Sequence, residues 1–296
     1  MEQQDILSMT LPELQAAVQE LSEPKFRAKQ IFNWLHQKRV TDFSEMTTLS
    51  LPFRERLASD FCINRLKIAK RLASSVDDTV KYLYELPDGN YVETVCMQYH
   101  HGTSLCISTQ VGCRMGCRFC ASAIAGFVRN LTPAEMLLQI YETERAQNCK
   151  ISSLVLMGIG EPLDNFDNVL RFLQLLSDPN GYGMSLRHVT ISTCGVVPKI
   201  LELAEQRLGL TLSVSLHCPN DAGRSAIMPI NRSYPIDVLL DACQTYFEKT
   251  GRRVTFEYAV MDQVNSAEQD AAALAERLKG LHAHVNLIPI NPVKER

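Results

Sequence analysis

The sequence contains no apolar run long enough to span a membrane, and it has no internal repeat or low-complexity stretch. It also lacks an excess of positive charge, because 30 lysines and arginines stand against 33 aspartates and glutamates and the net charge is −3. Any binding to nucleic acid would therefore rely on local basic patches. No secretory signal peptide is evident, and ten cysteines in such a chain indicate a reducing compartment. We expect an intracellular, cytoplasmic protein without a membrane anchor.

Length and composition predict one large domain with a smaller one. The chain has 296 residues, of which 46% are hydrophobic, and this is enough to bury a core without disulfide bonds. We predict a helical domain over residues 1–62, a β-hairpin extension over 63–98 and an α/β domain over 99–296. These boundaries follow the change from helical to strand-like and then to alternating patterns.

The first part carries a cluster of cations on a predicted helix. Apolar residues at helical spacing predict one helix between Leu7 and Leu21, and a second covers about Phe26–Gln37. The cations on the outer side of the second helix are Lys25, Arg27, Lys29, Lys38 and Arg39. Scattered cations usually mark a solvated helix face, and an RNA contact is the alternative. The sequence leaves both open.

The remaining pattern changes from a hairpin to an alternation of strands and helices. Val80–Leu86 and Tyr91–Val95 flank the turn-forming run Pro87–Asn90. The strands predicted beyond it are Leu105–Val111, Ile151–Gly158, Arg187–Thr193, Leu210–Leu216, Arg253–Met261 and Ala283–Ile290. The helices predicted between them lie near 132–148, 165–177, 197–206, 235–250 and 266–280. This alternation indicates an α/β fold of parallel βα units, either a partial (β/α)6 barrel or an open sheet.

Three closely spaced cysteines, Cys113, Cys117 and Cys120, form the most informative motif. Their C-x3-C-x2-C spacing brings three thiolates into one short loop. A 4Fe–4S cube held by three protein thiolates keeps its fourth iron open for a small molecule. A structural zinc site is the alternative, but such a site normally has four ligands, and two paired-cysteine units are absent. The spacing favours an iron–sulfur cluster.

Other unusual segments occur where predicted strands end. Gly158–Pro162 follows the second strand of the alternating part, and Ser192 ends the third. Ser215–His217 ends the fourth strand, and Asn291 follows the sixth. Active sites of (β/α) barrels gather at the carboxyl ends of the strands. The placement therefore predicts a single site and favours a barrel over a doubly wound sheet.

Taken together, these motifs resemble the 23S rRNA adenine carbon-2 methyltransferases, which are the RlmN type of the radical S-adenosylmethionine enzymes. The resemblance runs in order from about residue 22 to the end. The segments that carry it are Tyr91–Val95, Leu105–Cys113, Met157–Leu163, Ser215–His217, Met228–Asn231 and Val285–Pro292. The related Cfr type methylates carbon 8 of the adenosine and typically has alanine after the Gly-Glu pair. Pro162 and the Ile288-Pro289 pair favour the RlmN type.

The resemblance implies a 4Fe–4S cluster on Cys113, Cys117 and Cys120, with S-adenosylmethionine bound beside it. It places Gly160 and Glu161 against the ammonium group of the methionine moiety, where glycine permits close approach and a carboxylate accepts a hydrogen bond. The positions that match the family's contacts to the rest of the cofactor are Ser192, Ser215, Leu216, His217 and Asn291.

Two more residues match catalytic positions of the family. Glu93 aligns with the acceptor of the proton that leaves the methylated adenine carbon. Cys106 aligns with the cysteine that resolves a covalent protein–RNA intermediate by forming a disulfide bond. The resemblance also implies 23S rRNA and, in some members, tRNA as substrates, with flavodoxin as electron donor. We expect a monomer.

One element of the family mechanism is not found in the sequence. The resemblance implies a methyl-carrying cysteine near the carboxyl terminus, but the last cysteine here is Cys243 and the sequence ends at Arg296. We therefore expect a carboxyl-terminally truncated member that completes methyl transfer only when the family's terminal segment is added. A catalytically silent RNA-binding homologue is the remaining alternative.

Overall fold

A computed structural model describes residues 3–290. Its helices are α1 (Leu11–Glu20), α2 (Phe26–His36), α3 (Leu51–Asp60), α4 (Pro133–Gln147), α5 (Phe166–Ser177), α6 (Val197–Glu205), α7 (Asp221–Ile227), α8 (Ile236–Thr250) and α9 (Glu268–Arg277). Its strands are β1 (Gln4–Asp5), β2 (Phe61–Cys62), β3 (Lys67–Ala73), β4 (Val80–Glu85), β5 (Tyr91–Tyr99), β6 (Gly102–Cys106), β7 (Gln110–Gly112), β8 (Phe127–Asn130), β9 (Ile151–Leu156), β10 (Val189–Thr193), β11 (Thr211–Ser215), β12 (Val254–Val260) and β13 (Ala283–Pro289). No helix within residues 3–290 is long and apolar enough to cross a membrane.

The structure divides the chain into two compact units. Unit 1 contains residues 3–107 together with Leu131–Ser153 and Asp167–Ser185. Unit 2 contains Ser108–Asn130, Leu154–Phe166 and residues 186–290. Unit 1 thus combines the predicted helical and hairpin parts with α4 and most of α5. The sequence-based boundaries at residues 62 and 98 stay predictions.

Helix α4 is the best-buried element of unit 1. It begins with a capping box, in which Thr132 and Glu135 bond each other's backbone N–H groups, and with proline at its first position. All of its residues from Pro133 to Glu144 are buried. Its buried polar side chains are paired, since the Thr94 hydroxyl donates to the Gln139 side-chain oxygen at 2.8 Å. Packing of this helix therefore uses specific hydrogen bonds in addition to apolar contact.

Helix α2 places its apolar face inside unit 1, and Lys25, Lys29 and Lys38 on and beside it are exposed as predicted. Arg39 departs from the predicted outer position, because it forms an ion pair with the buried Glu144. Ile31, Phe32 and Leu35 are buried, as the helical spacing predicts, whereas Trp34, which the same spacing places inward, is only half-buried. His36 is also fully buried, and its Nδ1 lies 2.9 Å from the Tyr141 hydroxyl. Burial lowers the pKa of His36 to about 4, so this histidine is neutral at pH 7.

The predicted hairpin is confirmed as two strands of an antiparallel sheet. Strands β4 and β5 pair across Pro87–Asn90, and Leu83 lies opposite Glu93. The side chains of Val80, Tyr82 and Tyr84 alternate inward, as period-two patterning requires. Within unit 1 the strand order is β6-β5-β4-β3.

Parallel strands form the sheet of unit 2. The order is β13-β12-β11-β10-β9, and each neighbouring pair is parallel. Helices lie between these strands in sequence, so the predicted parallel βα units are confirmed for strands two to six. The first residues of β9 belong to unit 1 and its last residues to unit 2. The carboxyl ends of the parallel strands lie along one edge of this sheet.

The prediction of a single strand over Leu105–Val111 is wrong. Strand β6 ends at Cys106, and β7 begins at Gln110 and pairs antiparallel with β8 in a separate two-stranded sheet. Between them, the N–H groups of Thr109 and Gln110 donate to the Ile159 carbonyl at 2.9 and 3.2 Å. The apolar character of residues 105–111 correctly predicts that the segment is buried. Hydrogen bonds to the Ile159 carbonyl, however, take the place of the expected pairing with a neighbouring strand.

Candidate functional site

The three motif cysteines lie in a loop that directly follows β7. The loop is closed at its base by the Cys113 N–H, which donates to the Gly126 carbonyl at 2.9 Å. Gly112 stands beside this bond with φ +73°, and a Cβ there would lie 1.8 Å from the same carbonyl oxygen. Glycine is therefore required where the chain enters the loop. A second bond, from the Arg118 N–H to the Ile227 carbonyl at 2.9 Å, holds the far side of the loop.

The cysteine thiols have the environment that an iron–sulfur cluster requires. Cys117 packs in an apolar group with Cys194 and Met228, and Cys120 lines the same group. Burial, followed by the Cys120 and Cys113 thiols, raises the pKa of Cys117 to about 12. Three neighbouring thiols in apolar surroundings lose their protons most readily to a metal, so this donor set fits a 4Fe–4S cluster.

No group of three His, Cys, Asp or Glu side chains within residues 3–290 is arranged around a single metal ion. A cube-shaped cluster makes a different demand, because each thiolate then binds its own iron. The ten cysteines all lie within the described residues, and none forms a disulfide bond.

Gly160 is a second glycine of the site that a side chain could not replace. It lies in the loop after β9 with φ +112°, and a Cβ there would lie 2.7 Å from Gln110 Cβ and 2.8 Å from Gln110 N. Gln110 in turn accepts a hydrogen bond from the Glu161 N–H at 2.9 Å and donates to Asp164 Oδ2 at 2.7 Å. Gln110 thus fixes the Gly160-Glu161 turn, a role that its position in a strand pattern did not reveal.

The Glu161 carboxylate is buried and held by backbone donors. Its Oε1 accepts from the Leu163 N–H at 3.0 Å, and its Oε2 accepts from the Cys194 N–H at 2.8 Å. Burial raises the pKa of Glu161, and its hydrogen bonds to Cys194 and Leu163 oppose that shift. Glu161 also interacts electrostatically with the Cys113 and Cys117 thiols. The loop after β9 is therefore next to the cysteine loop, and the carboxylate keeps lone pairs for a cation.

Replacing Gly160 by alanine is expected to destabilise unit 2 and to weaken binding of S-adenosylmethionine. The new methyl group would meet Gln110 in a backbone conformation that disfavours L-residues, at a cost of about 2–4 kcal/mol. Gly251→Ala is the matched control, because Gly251 has φ +65° but nothing within 4 Å of the added Cβ. Urea unfolding and equilibrium dialysis with the labelled cofactor measure the two effects. Equal effects in both variants would show that crowding against Gln110 is unimportant.

His217 is held as a neutral, oriented ring at the end of β11. Its Nδ1 accepts from the Ala259 N–H at 2.9 Å, so the neutral ring carries its proton on Nε2. Burial, followed by the Arg224 charge, lowers its pKa to about 4. The Phe119 ring meets the His217 ring edge-on at a centroid distance of 4.7 Å. This contact places His217 against the cysteine loop, with one nitrogen available as a donor.

The other predicted cofactor contacts lie on neighbouring strands. Ser192 is in β10, where it is half-buried and faces Ser213 of β11. Ser215 ends β11, and Leu216 after it is fully buried, with its N–H donating to the Glu257 carbonyl at 3.1 Å. Asn291 lies outside the described residues.

Arg224 is the main residue that sequence reasoning missed. This arginine of α7 is completely buried. Its Nη2 donates to the carbonyls of Cys194 at 2.6 Å and Ser215 at 3.1 Å, and its Nη1 donates to Asn231 Oδ1 at 2.9 Å. Its Nε has no hydrogen-bond partner within the described residues. Arg224 therefore ties the ends of β10 and β11 together, but nothing local separates it from the other cations in the sequence.

The two predicted catalytic groups, Glu93 and Cys106, belong to unit 1. Glu93 lies on β5 and forms an ion pair with Lys81 of β4, at 2.8 Å between Oε1 and Nζ. Cys106 is half-buried at the end of β6, opposite Val95 of β5. The cysteine loop, Gly160, Glu161, Ser192, Ser215, Leu216 and His217 belong to unit 2.

Comparison with known protein families gives two matches. Residues 4–63 match the family of ribosomal RNA large subunit methyltransferase N-terminal domains. Residues 107–275, more than half of the chain, match the radical SAM superfamily, whose members hold a 4Fe–4S cluster and S-adenosylmethionine. The predicted cofactors are those of this superfamily.

Curated relatives and a solved structure extend the match over almost the whole chain. A protein of Lachnoclostridium phytofermentans is 52% identical over 99% of this chain and 82% of its own length. A protein of Alkaliphilus oremlandii is 50% identical over all of this chain and 86% of its own length. Both are named "Probable dual-specificity RNA methyltransferase RlmN".

A crystal structure of a radical SAM methyltransferase from Sphaerobacter thermophilus superimposes with a TM-score of 0.93 at 40% identity. The match covers 98% of this chain and 86% of that one. It confirms the α/β fold of the radical SAM type, a partial (β/α)6 barrel with an amino-terminal helical part and a hairpin extension. Relatives that are about 50% identical align with nearly the whole chain, and the chain therefore belongs to the RlmN family of radical SAM methyltransferases.

Proposed function

We propose that this protein methylates carbon 2 of an adenosine in RNA, with 23S rRNA as its substrate and tRNA as a second one. The observation that carries the proposal is the site of unit 2, where the cysteine loop, the Gly160-Glu161 turn and the neutral His217 lie together. Three thiolates would hold the cluster, and Glu161 would accept a hydrogen bond from the ammonium group of S-adenosylmethionine. The Nε2–H of His217 would donate a hydrogen bond to the same cofactor. The two relatives described above are named RNA methyltransferases, which supports RNA as the substrate.

A cluster held by Cys113, Cys117 and Cys120 would supply the electron for cleavage of the sulfonium of S-adenosylmethionine. The protein itself binds and orients the cofactor and keeps the site apolar around Cys117, Cys194 and Met228. Glu93 on the hairpin accepts the proton from the methylated adenine carbon, and Cys106 provides the resolving thiol. We further propose a monomer in the cytoplasm that receives its electron from a flavodoxin, in keeping with an RNA substrate and a low-potential cluster.

Methylation at carbon 8 of the same adenosine is the second candidate. It is favoured only by the motifs that the RlmN and Cfr types share, whereas Pro162 follows the RlmN pattern. The two candidates differ in their product and are therefore separable in a single assay.

The test is the position of the new methyl group. Anaerobically reconstituted protein is incubated with reductant, S-adenosylmethionine and a 23S rRNA fragment, and the digested RNA is analysed by mass spectrometry. Residues 1–296 are joined to the family's terminal carrier segment in one arm and used alone in the other. We expect 2-methyladenosine in the first arm. Only 8-methyladenosine there would support the second candidate, and unmodified RNA despite cofactor cleavage would contradict the proposal.

Replacing Glu93 by glutamine is expected to lower methyl transfer to RNA at least a hundredfold, because the amide cannot accept the proton. Reductive cleavage of S-adenosylmethionine in the absence of RNA should be unchanged. Glu85→Gln is the control, since Glu85 is the glutamate on the same face of the hairpin, opposite Tyr91. Methionine release and RNA methylation are measured in parallel. Both proteins carry the family's terminal segment in this assay, and equal, measurable RNA methylation with and without the Glu93→Gln change would remove Glu93 from the mechanism.

A further inference from the structure

A groove on the outer side of α2, within unit 1, has the chemistry of a site for unpaired RNA. We call it the Trp34 groove. It has a volume of about 550 Å³ and is lined by side chains that include Lys25, Phe26, Lys29, Trp34 and Lys38. The Phe26 side chain is 57% exposed, although phenylalanine side chains in folded proteins are usually buried. The groove therefore exposes aromatic surface to solvent next to three lysine side chains.

The Trp34 ring is fixed in this groove. Its indole N–H donates to the Thr48 hydroxyl at 2.8 Å, which sets the plane of the ring. Lys38 Nζ lies 4.6 Å from the ring centroid, above one face. A ring that is held in place loses little conformational entropy when a flat molecule stacks on it.

The charge of the groove is of one sign. No acidic side chain lines it, and within residues 3–290 Lys25, Lys29 and Lys38 form no salt bridge. Lys25 is the N-cap residue of α2 and Lys29 lies four residues further along the chain, about one helical turn away, and both side chains are exposed. The whole protein has a net charge of −3, and the groove is therefore a local basic patch on an acidic molecule.

We propose that the Trp34 groove binds a single unpaired nucleobase of the RNA substrate, which stacks on Trp34 while Lys25 and Lys29 contact the adjoining phosphates. Aromatic platforms flanked by lysines are the usual way in which proteins hold single-stranded nucleic acid. A duplex keeps its bases stacked on one another and therefore offers no free base face to Trp34. The inference rests on the proposed RNA substrate and adds a contact outside unit 2.

Fluorescence offers a direct test because Trp34 is the only tryptophan in the chain. A single-stranded RNA oligonucleotide added to the reconstituted protein should quench Trp34 emission, and a duplex of the same sequence should quench it far less. Trp34→Leu should weaken the affinity for labelled single-stranded RNA about tenfold by anisotropy, whereas Trp34→Phe should keep most of it.

The lysines give a variant that leaves the apolar core untouched. The double change Lys25→Gln and Lys29→Gln should weaken RNA affinity about tenfold and reduce its salt dependence, whereas Lys150→Gln, another exposed lysine of unit 1, should not. If Trp34→Leu and the double variant both bind RNA as tightly as the unchanged protein, the proposed role of the Trp34 groove is wrong. The proposed RNA methylation is not affected by that result. Tighter binding of an acidic peptide than of RNA would overturn the role of the groove too. If the protein joined to the family's terminal segment neither binds nor methylates RNA, the proposed function itself fails.

Discussion

Replacing Cys117 by serine is expected to abolish assembly of the iron–sulfur cluster. Cys117 is the most buried of the three loop cysteines and packs against Cys194 and Met228. A serine hydroxyl is a harder and much less acidic ligand than a thiol, so it does not replace a thiolate on iron. We expect iron and sulfide contents close to zero after anaerobic reconstitution and no reductive cleavage of S-adenosylmethionine.

Cys62→Ser is the matched control for this change. Cys62 lies in β2 of unit 1, where its thiol donates to the Gln3 carbonyl, and serine can make the same bond. That variant should bind as much iron as the unchanged protein. Stoichiometric zinc without iron in the reconstituted, unchanged protein would contradict the cluster assignment.

Replacing Arg224 by methionine is expected to produce the largest loss of stability of any single arginine substitution in unit 2. Methionine fills a similar volume but donates no hydrogen bonds. The carbonyls of Cys194 and Ser215 and the side-chain oxygen of Asn231 would then remain buried without the donors they have now. We expect a loss of about 3–5 kcal/mol in the free energy of unfolding, because a buried charged hydrogen-bond network is costly to interrupt.

Urea unfolding of Arg224→Met beside Arg232→Met measures this effect. Arg232 lies in the short turn after α7 and is exposed, so its loss should change stability by no more than about 0.5 kcal/mol. Arg224→Lys should lose less than Arg224→Met, since an ammonium group can still donate to some of the three acceptors. Similar stabilities of the two methionine variants would show that Arg224 does not tie β10 to β11.

Local pattern predicts most secondary structure of this protein because its causes are local. The helix predicted near 235–250 is α8, Ile236–Thr250, and the strand predicted over Ala283–Ile290 is β13, which ends at Pro289. Capping residues such as Thr132 satisfy the free N–H groups at a helix start through neighbours a few positions away. Such signals need no knowledge of the rest of the chain.

The failure at Leu105–Val111 has the opposite cause. The apolar run is buried, as expected, but Ser108 and Thr109 form hydrogen bonds with the loop after β9, and residues 107–109 belong to no strand. Which backbone partner a buried segment takes depends on chain that is about 50 residues away. Periodicity carries no information about that choice.

The sequence by itself determined the spacing of Cys113, Cys117 and Cys120, on which our proposed ligand set of the cluster rests, because this spacing is covalent and holds in any fold. It also determined the parallel βα pattern and the family. Only the tertiary structure decided how the site is supported. Gln110 crosses to Gly160, Glu161 bonds the Cys194 N–H, and Arg224 joins the ends of two strands. Each of these contacts involves a buried charge or two closely approaching backbone segments. Such contacts contribute to stability only where segments distant in sequence have come together and excluded water, so the sequence pattern does not reveal them.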